Sequence, residues 1–74
     1  MNILGAAWFE IWVDDSIRPA YVLLVEPEET DGGCVVLDPK ENYSVIYRGQ
    51  SYEVVRDWLQ EDEYRLTEGR MFRD

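Results

Sequence analysis

Carboxylates are the one kind of reactive side chain this sequence holds in quantity. Asp14-Asp15, Glu28-Glu29 and Glu61-Asp62-Glu63 stand as adjacent groups. Paired carboxyls can divide general-acid and general-base work when a cleft buries one member and raises its pKa. All three groups fall in segments that read as turns or element ends, where water solvates both members, and a chain of 74 residues offers little volume for a substrate cleft. There is no histidine, so the commonest general base and the commonest imidazole ligand are missing. Ser-His-Asp and Cys-His hydrolysis and the usual zinc sites go with them. Cys34 is the single cysteine; it opens an apolar run beside Gly33 and Val35 and reads as a buried, inert thiol that can form no intramolecular disulfide. Gly32-Gly33 lacks the spacing and the following helix of a phosphate loop. No catalytic residue and no cofactor is expected, and the chain does not read as an enzyme.

Recognition chemistry is better represented. Trp8, Glu10 and Trp12 alternate along one apolar segment and so project from one face of a strand. Aromatic rings around a satisfied polar group are common anchors of binding patches; the plainer reading is that both tryptophans are core. If the rings are exposed, Asp14, Asp15, Glu26, Glu28 and Glu29 supply an acidic rim that would draw in a basic protein partner.

The formal net charge is −9, and the acidity is uneven: residues 1–38 carry eight acids and one base, residues 39–74 eight acids and six bases. This balance disfavours direct binding to nucleic acid or to an anionic membrane, both of which reward basic patches. It suits three alternatives. The acidity can simply keep an aromatic-rich protein soluble, it can complement a basic partner, or it can make the chain an acidic decoy for the basic groove of a nucleic-acid-binding protein. Glu28, Glu29 and Asp31 beside Gly32 also offer oxygen ligands of the kind Ca²⁺ takes, though without the Asp-x-Asp-x-Asp-Gly spacing of an EF-hand loop. Loop calcium binding is the weakest of these readings.

The elements that must position these groups follow from periodicity. Residues 7–13 and 21–26 are rich in aromatic and β-branched types and read as strands with both faces largely apolar, as in the middle of a sheet. Residues 27–33 form an acidic, glycine-containing loop. Residues 34–37 read as a short strand, Asp38-Pro39-Lys40-Glu41-Asn42 as a hairpin loop built on a type I turn, and residues 43–48 as a strand alternating Tyr43, Val45 and Tyr47 against Ser44, Ile46 and Arg48. That alternation predicts a strand covered on one side. At Ser51 the period changes to about 3.6. Ser51 suits an N-cap, and Val54, Val55, Trp58 and Leu59 form the apolar stripe of a helix over 52–61. Residues 64–67 again read as strand up to Gly69, and residues 70–74 give no clear signal.

The result is a single small α+β domain over residues 1–74, an antiparallel meander of order β-β-β-β-α-β with one short helix packed on one side. One helix covers one face. The second face therefore calls for a strongly curved, barrel-like sheet, a homodimer or another partner. The apolar start of the chain lacks a basic segment and meets Glu10 early, no stretch reaches the roughly 18 apolar residues of a membrane span, and the lone cysteine suits a reducing compartment; the expectation is a cytoplasmic protein. The function this composition favours is a non-enzymatic interaction or regulatory accessory module that works through an aromatic and acidic sheet surface.

Overall fold

The computed structural model describes residues 7–28 and 32–72. They form β1 (Trp8–Asp14), β2 (Tyr21–Pro27), β3 (Cys34–Asp38), β4 (Ser44–Gly49), α1 (Tyr52–Glu61), β5 (Arg65–Leu66) and β6 (Met71–Phe72). All pair antiparallel in one sheet of order β4-β3-β2-β1-β5, with β6 on β1 beside β5. The α+β meander is as the periodicity predicts. The sheet, however, is open: β4 forms one edge and the short C-terminal strands the other, so the strands do not close into a barrel.

Helix α1 starts where Ser51 accepts a hydrogen bond from the Val54 N–H at Oγ (3.3 Å), which satisfies one of the donors a helix leaves unpaired at its start. It ends at Asp62, and Glu63 turns the chain into the left-handed region (φ 67°). Its Val55 and Leu59 join Trp12, Leu23, Val25, Cys34 and Val36 in a fully packed layer flanked by Trp8, Tyr21, Tyr47, Tyr52, Trp58, Tyr64 and Leu66. The Trp58 indole stacks on Tyr47 with centroids 4.2 Å apart and planes 6° from parallel. Cys34 lies in this layer, and burial pushes its thiol pKa up, away from the reactive thiolate.

The opposite face carries a second cluster of Leu24, Val35 and Leu37, against which Phe9, Ile11 and Val45 pack. Leu37 is entirely buried within the single chain. The centre of this face therefore needs no second copy to cover it.

Strand β4 departs from the simple alternation. The register slips by one residue between Val36↔Tyr47 and Leu37↔Val45, a β-bulge that turns Val45 to the second cluster and Tyr47 to the helix side. The two residues expected to share one face are thus on opposite faces, and Ile46 is left exposed. Tyr43 belongs to the preceding turn at φ 61° rather than to the strand. That turn is a single 3₁₀ turn, Pro39–Glu41, capped by Asp38, which accepts the Lys40 N–H (2.9 Å) and the Tyr21 hydroxyl (2.6 Å).

Candidate functional site

The site grows out of β1. Its alternation sends Trp8, Glu10 and Trp12 to the helix side of the sheet, as the sequence spacing predicts. Trp12 is core, and Glu10, flanked by Trp8 and Trp12, is 2% exposed. A charge at that depth must be met by donors, and three meet it. Trp12 Nε1–H (3.0 Å) and the Tyr52 hydroxyl (2.9 Å) donate to Oε1, and Arg70 Nε–H donates to Oε2 (3.1 Å).

Arg70 arrives from the outer edge of β1. There β5 pairs as Trp12↔Leu66 and Val13↔Arg65, whereas β6 pairs as Trp8↔Phe72 and Phe9↔Met71. The four residues Thr67, Glu68, Gly69 and Arg70 thus stand opposite Glu10 and Ile11, so the C-terminal edge carries a wide bulge. Thr67 anchors one end by donating both its N–H (3.1 Å) and its hydroxyl (3.0 Å) to the Ile11 carbonyl. Gly69 adopts φ 88°, with open space around it, a conformation that costs glycine little. Bulges re-aim side chains, and this one lays the Arg70 side chain across the sheet. Its guanidinium carbon sits 3.6 Å from the Trp8 ring centroid and 4.9 Å from that of Tyr52. The two rings meet edge to face, with centroids 6.2 Å apart and planes at 74°. The result is a cage of two aromatic rings over a buried carboxylate, holding the guanidinium of a side chain that remains 33% exposed.

The Tyr52 phenol reports on this arrangement. Burial and the Glu10 carboxylate beside it push its pKa up to about 12, with Arg70 pulling the other way.

One acid expected on the rim lies inside instead. Glu26 is buried at 5%, and it alternates with Val25, so it lies on the face opposite Glu10. Asp14 closes a local turn by accepting the N–H (3.0 Å) and hydroxyl (2.5 Å) of Ser16. Asp15 pairs with Arg65 (2.9 Å), which holds its carboxyl below the usual range. Glu28 pairs with Arg48. Glu29, and Asp31 of the suggested calcium loop, lie outside the described residues. Among the described residues no group of three or more His, Cys, Asp or Glu side chains could hold a metal ion, and no helix is long and apolar enough to cross a membrane.

Arg70 and Tyr52 are the site residues that sequence reasoning missed. Tyr52 begins the helix and Arg70 lies in the tail that gave no periodic signal; neither is near Glu10 in the chain. A glycine followed directly by a base, Gly69-Arg70, in an acidic protein was the one available hint. Comparison with known proteins finds no matching family model, no similar curated protein and no matching solved structure.

Proposed function

We propose that this protein is a small, non-enzymatic interaction module that engages a basic segment of a protein partner through the aromatic and acidic surface around β1. The observation that supports it is the cage itself: Trp8, Tyr52 and Glu10 already hold a guanidinium, the side chain by which a basic partner would be recognised. The net charge of −9 adds long-range attraction for such a partner. The acidic-decoy alternative gains no comparable support. A mimic needs carboxylates spaced along one accessible face, whereas Glu10 and Glu26 are buried on opposite faces and Asp15 and Glu28 are engaged by arginines.

Calorimetric titration of the intact protein with a short arginine-bearing basic peptide, and with the same peptide carrying glutamate at the arginine positions, tests the reading. Heat is expected from the basic peptide alone, weakening as salt rises. No heat from the basic peptide up to millimolar concentration, from the intact protein and from Arg70→Gln alike, or equal heat from both peptides, would overturn it.

A further inference from the structure

We infer that the pocket formed by Glu10, Trp8 and Tyr52 is a guanidinium-binding site whose resident occupant, Arg70, is exchangeable, so that an arginine supplied in trans can take its place. This rests on the reading above and adds to it the ligand class and the way the site is kept closed. The pocket suits a planar cation. The guanidinium carbon sits over one ring, 3.6 Å from its centroid, a second ring lies 4.9 Å away, and the carboxylate accepts an N–H at 3.1 Å. A guanidinium stacks and donates at once in this way; an ammonium has no plane to stack.

The occupant is held by little backbone. The strands on either side of the bulge, β5 and β6, have two residues each, and Glu68 and Arg70 between them are exposed. Segments with so few ladder bonds open locally at low free-energy cost. The pocket walls differ in this respect: Glu10 belongs to a seven-residue strand paired over five positions with β2, and Tyr52 to α1. Trp8 precedes the stretch paired with β2 and stands opposite Phe72 of β6. Opening of the edge therefore leaves Glu10 and Tyr52 in place, with a buried carboxylate that has lost its cation, which is a strong demand for another one that would close the Trp8 side again.

An arginine tethered in the same chain competes with any external one, so the site in the intact protein is masked in proportion to how fully Arg70 occupies it. Releasing that mask should strengthen binding in trans roughly tenfold or more. The probe is N-ethylguanidinium chloride, with ethylammonium chloride at the same concentration as the ionic control, applied to wild type, Arg70→Ala and Arg70→Gln. Melting temperature and tryptophan emission are the readouts. Both variants should gain about 4–8 °C at a probe concentration about five times its Kd, with a shift in emission from Trp8. Wild type should respond weakly, and ethylammonium should do several-fold less than ethylguanidinium.

Adding Glu10→Gln to Arg70→Gln should abolish the gain. Should Arg70→Ala fold poorly, recovery of its near-ultraviolet circular dichroism by ethylguanidinium supports the exchange equally. Silence of both variants, or the same response from wild type, overturns it. A response here without heat from the basic peptide on Arg70→Gln would leave the guanidinium site standing and remove the partner reading; silence here removes the site whatever the peptide does.

Discussion

At the scale of single residues, the molecule turns on one carboxylate. Glu10 is tolerable in the interior because three donors converge on it, and removing one partner of a buried ion pair typically costs about 3–5 kcal/mol. One of those donors gives the site a pH signature. The Tyr52 phenol is pushed up to about 12 by burial and by Glu10, and Tyr21 is likewise pushed up to about 12 by its hydrogen bond to Asp38. A phenol whose folded pKa exceeds its ordinary value of 10.0 favours the fold in its neutral form. Its stabilisation is therefore complete below about pH 10 and is lost as pH climbs through about 12. Tyrosinate absorbance followed together with circular dichroism should show a late-ionising component that coincides with unfolding. Tyr52→Phe and Tyr21→Phe should each remove part of that component. If all the tyrosines ionise together while the circular dichroism is unchanged, the hydrogen bonds to Glu10 and Asp38 are not holding the phenols neutral.

At the scale of elements, the junction of β4 and α1 is tightly packed. A Cβ placed on Gly49 would stand 2.7 Å from Val55 Cγ2, 3.1 Å from Val54 Cγ1 and 3.3 Å from the Ser51 carbonyl oxygen. Gly49 pairs with Cys34 at the end of β4 and Val55 is core, so neither yields freely. Gly49→Ala should destabilise by about 1–3 kcal/mol, measured by denaturant unfolding. Val55→Ala in the same chain should offset part of that loss, because neighbouring substitutions couple; strict additivity would show that the methyl is accommodated elsewhere. The helix, its Ser51 cap and the first four strands were legible in the sequence because each repeats a period over several residues, and Trp8, Glu10 and Trp12 were legible as sharing one face. The β4 bulge was not, since one extra residue leaves the pattern of apolar and polar types intact while reversing which side Val45 takes. At the C-terminal edge β5 falls within the strand read at residues 64–67, but β6 was not legible: a two-residue strand shows no period, and the contact from Arg70 to Glu10 spans 60 residues of sequence. The depth of Glu26, read as a rim acid, and of Glu10 was not legible for a related reason. Charge type predicts exposure on average, whereas Glu10 and Glu26 take their depth from apolar neighbours on either side.

At the scale of the whole molecule, two electrostatic effects compete. Ion pairs Arg48–Glu28, Arg56–Asp57, Arg65–Asp15 and Arg70–Glu10 stabilise, while a formal net charge of −9 repels itself. Exposed pairs are typically worth about 0–1 kcal/mol each, and the first three have partners well open to solvent. The radius of gyration is 11.6 Å. At an ionic strength of about 0.01 M the screening length is about 30 Å, so every charge feels the whole molecule; at about 1 M it falls to about 3 Å and the repulsion is gone. Repulsion should outweigh the weak exposed pairs, and the melting temperature should rise by several degrees as sodium chloride is raised through this range; a fall would mean that the exposed pairs dominate. The Glu10–Arg70 pair sits against aromatic rings with its carboxylate almost wholly out of water, where salt screens little. The C-terminal edge should thus stay closed in salt, and the Thr67 amide, bonded to the Ile11 carbonyl, should keep or increase its protection from hydrogen exchange over the same range. Faster exchange at Thr67 while the rest of the sheet grows more protected would show that an exposed ion pair, rather than the caged one, holds the edge in place.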